Sequence, residues 1–255
     1  MQRMLILAAD LHIRPNGASR ERFRDFLQWV SSTPHDIAFL GDVLDLWIGV
    51  DAYSDELSRE FLAWCRSEKE RRGIYLVEGN HEYFVARHHG EAFTEAVPEE
   101  LRLGNLLLLH GDTCQHNPSH LRFRWWVKSR LAHLLLHFPG AAAYVRHLKN
   151  KLERKSRARR HSFPQAELSA FASERFCGDN PPQSIVLGHF HHNFLEQRRG
   201  GRTFAVLPAW KTRGEIALWN PEENQLSVKP WTHFAATAEK RPLHKSQTNH
   251  KDKQP

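Results

Sequence analysis

Five short segments, spread along the chain, contain the side-chain types that a dinuclear metal site needs. They are, in chain order, Asp10-Leu11-His12, Gly41-Asp42, Gly79-Asn80-His81-Glu82, His110-Gly111-Asp112 and Gly188-His189-Phe190-His191. Carboxylate, amide and imidazole groups are ligands that divalent metal ions accept. Side chains two positions apart in an extended segment lie on the same side, so each Asp-x-His or His-x-His pair can reach one ion.

These segments supply seven candidate metal ligands: Asp10, His12, Asp42, Asn80, His110, His189 and His191. This set suits two ions that share one carboxylate, and Asp42 is the carboxylate able to bridge them. A water molecule between two divalent ions loses a proton near neutral pH, and the resulting hydroxide can attack a phosphorus atom in line with the leaving group. We therefore expect a two-metal phosphoesterase with Asp42 as a catalytic residue. The ligand types tolerate Mn²⁺, Fe, Zn²⁺ or Co²⁺.

Each segment follows an apolar run that is typical of a buried strand. The runs cover residues 4–9, 37–40, 74–77, 106–109 and 184–187. Amphipathic patterns at residues 20–30 and 56–71 indicate intervening helices, so the fold class is α/β, and ligands of such sheets gather at the carboxyl ends of the strands. Four short segments in the last quarter of the chain predict a second, antiparallel sheet: residues 194–197, 203–207, 215–219 and 225–228.

Residues 116–162 interrupt this pattern with helical sequence, which predicts a helical-hairpin cap inserted into a domain that spans residues 1–234. Apolar residues between Phe123 and Phe138 predict a first cap helix that Pro139-Gly140 ends. The second cap helix contains a basic segment, residues 146–160, with eight Lys or Arg and one acidic residue. This segment alone accounts for the net charge of +7, so its partner should be anionic: a phosphate, a nucleic acid or an acidic lipid surface. The polar residues 235–255 are expected to form a disordered tail.

The bulk composition fits a cytoplasmic globular enzyme. The 255 residues, 40% of them apolar, can bury a large core, and neither a signal peptide nor a membrane-spanning run is evident. Three scattered cysteines lack metal-binding spacing and fit a reducing compartment. The cap, with an apolar and a basic face, would permit peripheral contact with an anionic inner-membrane surface.

In this order, the segments resemble the signature of the calcineurin-like metallophosphoesterases, with D-x-H, G-D-x-x-D from Gly41 to Asp45, G-N-H-E, H-G-D and G-H-x-H, over roughly residues 4–231. The resemblance implies a four-layer double β-sandwich flanked by helices, and two Mn²⁺ ions. It implies that one ion is held by Asp10, His12, Asp42 and His191. It implies that the other is held by Asp42, Asn80, His110 and His189. His81 would contact the phosphate or protonate the leaving group, and Asp45, Asp112 and Glu82 would orient the ligands.

Within this family, the chain is similar to the pyrophosphatases that cleave UDP-2,3-diacylglucosamine to UMP and a lipid monophosphate in lipid A synthesis. Residues 46–49, Phe123-Arg124 and Ala209-Trp210 support this similarity. It implies a lipid-linked nucleotide sugar as substrate, bound by Asn80, His81, Arg124 and His189. His81 and Glu82 depart from the Arg and Asp typical of those enzymes. A nuclease or nucleotide phosphodiesterase, favoured by the basic segment, therefore stays an alternative, and a non-catalytic scaffold is a remote one.

Overall fold

A computed structural model describes residues 3–114, 118–138, 140, 141, 143, 145 and 163–239. Its strands are β1 (Leu5–Ala8), β2 (Asp36–Leu40), β3 (Trp47–Ile48), β4 (Ile74–Val77), β5 (Glu82–Tyr83), β6 (Glu95–Val97), β7 (Glu100–Leu103), β8 (Leu106–Leu109), β9 (Ser184–Leu187), β10 (Phe194–Arg198), β11 (Arg202–Val206), β12 (Glu215–Asn220) and β13 (Gln225–Pro230). The α-helices among these residues are α1 (Ala18–Ser32), α2 (Glu56–Glu68), α3 (Val85–His89), α4 (Pro118–Val127), α5 (Arg130–Leu135), α6 (Gln165–Phe176), α7 (Trp210–Arg213) and α8 (Trp231–Glu239). Short 3₁₀ helices cover Asp51–Tyr53 and Gly90–Ala92.

The first sheet has the strand order β13-β12-β1-β2-β4-β6. Strands β1, β2, β4 and β6 are parallel, whereas β12 pairs antiparallel with both β1 and β13. The prediction that residues 215–219 and 225–228 belong to the second sheet is therefore wrong. In β12, Ile216 packs against the helices and Ala217 against the other sheet, so this strand can occupy a position that is covered on both faces.

The second sheet has the order β10-β11-β9-β8-β7, with β11, β9 and β8 parallel and both edge strands antiparallel. A separate pair, β3 and β5, joins the segment after Asp42 to the segment after Asn80. Both large sheets thus bring the carboxyl ends of parallel strands to ligand-bearing segments.

Alternating side chains divide the apolar core into layers. In β1, Leu5 and Leu7 lie between the two sheets, while Ile6 packs on the opposite face against α1 and α2. In β8, Leu108 lies between the sheets, and Leu107 packs on the outer face against α6. The order of layers is helix, sheet, sheet, helix, and the predicted four-layer sandwich is confirmed.

Where the sequence predicts a single first cap helix, the described residues form two short helices, α4 and α5. The helix ends after α4, and a new helix begins at α5. The Ser129 hydroxyl accepts the N–H of Ala132 at 3.1 Å and thereby caps the N-terminus of α5. Leu131, Leu134 and Phe138 are 60%, 57% and 64% exposed. The predicted basic segment, residues 146–160, lies outside the described residues.

The C-terminal part of the described chain is helical further than expected. Helix α8 ends at Glu239, so residues 235–239 are not part of a disordered tail, and residues 240–255 lie outside the described range. Trp231 at the start of α8 packs on the core between α1 and β12, which explains why the helix forms. Among the described residues, no helix is both long and apolar enough to cross a membrane.

Candidate metal centre

The ligand-bearing segments of the two sheets meet at one edge of the sandwich. Asp10 and Asp42 follow neighbouring parallel strands of the first sheet, and the N–H of Asp10 donates to the carbonyl of Gly41 at 3.2 Å. His189, which follows a strand of the second sheet, donates its backbone N–H to Asp10 Oδ2 at 2.7 Å. This bond joins the two sheets at the site itself.

Three side chains converge on His110. Its Nε2 atom lies 3.2 Å from Asn80 Oδ1, 3.2 Å from His189 Nδ1 and 3.5 Å from Asp42 Oδ1. Ligands that bind an ion at about 2.0–2.2 Å in tetrahedral geometry lie roughly 3.3–3.6 Å from one another. The donor set and the spacing therefore fit one divalent metal ion.

A second group forms on the other side of Asp42. His191 Nε2 lies 3.2 Å from Asp10 Oδ1, and His12 Nε2 lies 3.6 Å from Asp42 Oδ2. Asp10 Oδ1 and His12 Nε2 are buried and have no hydrogen-bond partner. Buried polar atoms are rarely left unsatisfied, so these two atoms also fit a bound cation. All seven candidate ligands thus lie in two groups, with one oxygen of Asp42 facing each group.

The backbone is left-handed at five of these positions. The φ angles are 54° at Asp10, 47° at His12, 53° at Asp42, 68° at His189 and 52° at His191. Residues with a Cβ atom occupy this region at a cost, and such residues cluster where a site requires a particular side-chain direction. The local strain is therefore concentrated at the candidate ligands.

Two glycines let the motif loops pass close to each other. Gly41 has φ of +78°, and a Cβ atom there would lie 2.5 Å from His110 Nδ1. Gly79 has an ordinary φ, but a Cβ atom there would collide with the Asp42 side chain and lie 2.7 Å from the Asp42 backbone nitrogen. Gly79 is thus required by close approach, whereas Gly41 is required by both conformation and space.

The imidazoles of the site differ in charge because their surroundings differ. Burial lowers the pKa of His12 to about 3, and burial together with the neighbouring His110 lowers the pKa of His189 to about 4. Burial acts to lower the pKa of His110 as well, but the Asp42 and Asp10 carboxylates outweigh it and raise the pKa to about 9. The same carboxylates attract a metal cation. Because the Nδ1–H of His110 donates to the Leu40 carbonyl at 2.8 Å, Nε2 is the ring nitrogen available to that cation.

His81 borders both groups. Its Nδ1–H donates to the Asp45 carbonyl, which leaves Nε2 directed to the site, 3.8 Å from Asp42 Oδ2. Its backbone N–H donates to Asp42 Oδ1 at 2.9 Å, and its ring lies 4.8 Å from that of His12. His81 can therefore contact a molecule bound at the metal centre. With His12 and Asp42, it also forms a set of atoms close enough to hold an ion.

Two acidic residues next to the candidate ligands, Glu82 and Asp45, bond to the loops that carry them. Glu82 is fully buried and accepts three backbone N–H groups, from Asp42, Val43 and Gly79, at 2.7–2.8 Å. Burial, followed by the Asp42 carboxylate, raises the pKa of Glu82 to about 7. Asp45 pairs with Arg14 at 2.6 Å. The Glu82 bonds fix the backbone that carries Asp42, and the orienting role itself stays a prediction.

Arg124, which is predicted to contact the substrate, makes three hydrogen bonds within the protein. Its Nε donates to Asp112 at 2.7 Å, Nη1 to Glu99 at 3.1 Å and Nη2 to the Pro98 carbonyl at 3.2 Å. All three nitrogen atoms therefore have acceptors within the protein. The structure favours a positioning role, in which Arg124 ties helix α4 to the segment that contains His110.

Sequence reasoning missed two lysines near the site. Lys128, at the break between α4 and α5, donates to Glu78 Oε2 at 3.1 Å and to the Gly79 carbonyl at 2.9 Å. Lys211, directly after the Ala209-Trp210 pair, donates its backbone N–H to the Asp10 carbonyl at 3.4 Å. Burial lowers the pKa of Lys211, while the Asp10 and Asp42 carboxylates oppose that shift. The sequence signal for Lys211 was its position directly after Ala209-Trp210, a pair that supports the family resemblance. Lys128 had no such signal.

The chain is similar to known proteins along most of its length. A family model described as calcineurin-like phosphoesterase matches residues 4–193. A UDP-2,3-diacylglucosamine hydrolase of Pseudomonas putida is 26% identical over 83% of this chain and 92% of the relative, and one of Shewanella pealeana is 24% identical over 89% and 98%. Among solved structures, a dimetal phosphatase from Danio rerio is 14% identical, with a TM-score of 0.43, over 89% of this chain and 95% of that chain.

The fold and the site define a metal-dependent hydrolase of phosphate esters. The chain belongs to the calcineurin-like phosphoesterase family, since the family model covers most of its length. Members of this family use a dinuclear divalent metal centre, and the two groups around Asp42 are candidate ligands for it. The substrate of the enzyme therefore contains phosphate.

Proposed function

We propose that this enzyme hydrolyses UDP-2,3-diacylglucosamine to UMP and a lipid monophosphate, with two Mn²⁺ ions. The observation that carries the reaction type is the position of Asp42, whose two carboxylate oxygens face two separate groups of ligand atoms. The relatives with this named activity match along 83–89% of the chain, which supports the choice of substrate. Carboxylate and amide oxygens in the ligand set favour Mn²⁺.

In this proposal, the seven side chains divide as follows. Asp10, His12, Asp42 and His191 hold one ion, and Asp42, Asn80, His110 and His189 hold the other. When bound, two divalent ions would balance the phosphate charge and lower the pKa of an attacking water molecule. Asn80 and His189 would also contact phosphate oxygens.

His81 would bind the phosphate through Nε2, as a hydrogen-bond donor in the form that has a proton on both ring nitrogens. The Asp45 carbonyl holds its Nδ1–H, so the second ring nitrogen, Nε2, is the one available to substrate. A lipid monophosphate is a good leaving group that needs little protonation, so we assign His81 to charge stabilisation in the transition state rather than to essential acid catalysis.

The cap would bind the acyl chains. Its described helices expose several large apolar side chains, among them Leu131, Leu134 and Phe138. Each CH₂ group that an acyl chain buries there would contribute about 0.8 kcal/mol. The same face, together with the basic residues 146–160, would allow peripheral contact with an anionic membrane.

A substrate comparison tests this proposal. Purified protein with Mn²⁺ would be incubated with UDP-2,3-diacylglucosamine, UDP-N-acetylglucosamine, bis(p-nitrophenyl) phosphate, and single-stranded and duplex DNA. We expect release of UMP from the lipid substrate, slower or no release from the sugar nucleotide without acyl chains, and loss of all activity in Asp42→Ala. His233→Gln, at an exposed position of helix α8, is the matched control and should behave as wild type.

Two results would contradict the proposal in different ways. Cleavage of the diester or of DNA without any UMP from the lipid would establish the alternative, a phosphodiesterase or nuclease. Full function of Asp42→Ala would establish the scaffold alternative. Sedimentation with anionic vesicles, compared with neutral vesicles, tests membrane contact separately.

A further inference from the structure

Helix α7, a four-residue turn, places Lys211 beside the loop that contains Asp10. The backbone N–H of Trp210 donates to the Ala9 carbonyl at 3.0 Å, and that of Lys211 donates to the Asp10 carbonyl at 3.4 Å. These two bonds fix the start of α7 against a candidate metal ligand. The side chain of Lys211 therefore begins at the edge of the metal centre.

The Lys211 ammonium lies within electrostatic reach of the candidate ligands. Partial burial of the ammonium lowers the pKa of Lys211, and the Asp10 and Asp42 carboxylates oppose that shift. In the other direction, burial lowers the pKa of His12 to about 3, and the charges of His81 and Lys211 add to that effect. Lys211 is nevertheless exposed as a residue, so its side chain lies where the centre meets solvent.

The other cationic side chains around the centre already have partners. Each is paired with a carboxylate: Arg14 with Asp45 at 2.6 Å, Lys128 with Glu78 at 3.1 Å and Arg124 with Asp112 at 2.7 Å. Among the residues that the structure describes, the Lys211 ammonium has neither a hydrogen-bond acceptor nor an ion-pair partner. The Asp10 and Asp42 carboxylates act on it at longer range, and bound metal ions would compete for their charge. Lys211 is thus available to an anionic ligand of the centre.

Arg22 of helix α1 holds the other end of α7. Its guanidinium donates to three successive backbone carbonyls, those of Trp210 at 3.2 Å, Lys211 at 2.7 Å and Thr212 at 3.5 Å. It also lies over the Trp210 ring, 4.4 Å from the ring centroid. Carbonyl groups at the end of a helix lack partners within the helix, so a cation that binds three of them stabilises this short turn. Arg22 thereby fixes the backbone from which the Lys211 side chain extends.

We propose that Lys211 binds a charged oxygen of the substrate phosphate, and that Arg22 is the residue that positions it. Enzymes that transfer phosphoryl groups balance the charge on the phosphate oxygens with cationic side chains in addition to metal ions. A lysine ammonium, a compact charge on a flexible stem, suits a phosphate that approaches from solvent. The inference rests on the proposed hydrolysis at the metal centre, and it is independent of the lipid part of the substrate.

Protection of Lys211 from acetylation tests the contact without hydrolysis. The Mn²⁺-loaded protein would be treated briefly with acetic anhydride, with and without methyl phosphate, and acetylation would be followed by peptide mass spectrometry. Methyl phosphate at about ten times its dissociation constant should slow acetylation of Lys211 about 10-fold, in proportion to the sites that stay empty. Lys229, an exposed lysine on edge strand β13, is the internal control and should react at an unchanged rate. Equal rates at Lys211 with and without methyl phosphate would overturn the proposal, whereas protection in a protein that hydrolyses no phosphate ester would contradict the proposed function instead.

Enzyme kinetics gives a second measurement. Lys211→Met should raise KM about 10-fold or more with a smaller change in kcat, because it removes a charge-assisted hydrogen bond to the bound phosphate. Lys211→Arg should restore part of the affinity, and the control Lys229→Met should match wild type. Since Lys211 is exposed, its variants should fold. An unchanged KM in Lys211→Met would overturn the proposal.

A double-mutant cycle tests the role of Arg22. Arg22→Met should raise KM in the wild-type background, because the α7 carbonyls lose their donor. In the Lys211→Met background, the same change should raise KM no further, since a positioning residue acts through the side chain that it positions. An equal rise in both backgrounds would overturn this role and show that Arg22 acts on the metal loop instead.

Discussion

Replacement of Glu82 measures how strongly the metal loops depend on one buried carboxylate. Its Oε2 accepts the N–H groups of Asp42 and Gly79, and its Oε1 accepts that of Val43. In Glu82→Gln, the amide oxygen can keep the first two bonds, but the amide nitrogen then faces the Val43 N–H, donor against donor. An unsatisfied buried donor costs about 1–3 kcal/mol. The raised pKa of Glu82 means that the fold does not favour its charge, so loss of the charge adds no cost and the free energy of unfolding should fall by roughly 1–3 kcal/mol.

Glu82→Ala should cost more, because all three donors lose their acceptor. We expect a loss of roughly 4–6 kcal/mol, since water entering the vacated space replaces only part of the bonding. Urea unfolding in EDTA, followed by tryptophan fluorescence, separates this effect from metal binding. Glu95→Gln, at an exposed carboxylate, is the control for the loss of charge. An unchanged urea midpoint for Gln, or an Ala variant no less stable than Gln, would refute this reasoning.

Three further predictions concern the backbone, a buried histidine and the cap. At His191, with φ of 52°, metal-free His191→Gly should be more stable than His191→Ala by about 1 kcal/mol in urea unfolding, the reverse of the usual order. Burial lowers the pKa of His35, whose Nδ1 accepts the Met4 N–H, so the contribution of His35 to stability is present above pH of about 6.5 and is lost as pH falls through the folded pKa. His35→Gln should therefore lose less stability than wild type between pH of about 7.5 and about 5, measured as urea midpoints. An equal loss in both proteins would contradict this prediction. Lys128→Met should weaken Mn²⁺ activation about 10-fold by releasing the Gly79 loop, and Lys128→Arg should restore part of it; identical activation curves would rule out this coupling.

The strands that carry ligands could be predicted closely from the sequence. The observed bounds of β4, β8 and β9 are those of the predicted apolar runs, because buried strands leave their polar residues at the ends. The ligand segments could be found for the same reason. A carboxylate or imidazole directly after such a run has few structural explanations.

Features that depend on distant partners could not be read from local patterns. The sequence of β12 contains nothing that distinguishes a neighbour of β1 from a strand of the second sheet, since its pairing is decided by residues about 210 positions apart. The break between α4 and α5 depends on the Ser129 cap. In the sequence, a single serine is a weaker signal than the apolar periodicity around it, which predicts one continuous helix. The contacts of Arg124 and Lys128 likewise join segments far apart in the chain, so their positioning roles emerge only from the fold.

The distribution of backbone strain explains why the motif loops combine glycines with costly residues. Gly41 and Gly111 adopt positive φ without penalty, but the five left-handed candidate-ligand positions need a side chain, because that side chain is what would reach an ion. The cost at these positions is met by bonds that fix the same loops: Glu82 holds the Asp42 amide, and Asp10 holds the His189 amide. These two bonds lie within the protein. They therefore help to hold the loop conformation that presents the candidate ligands.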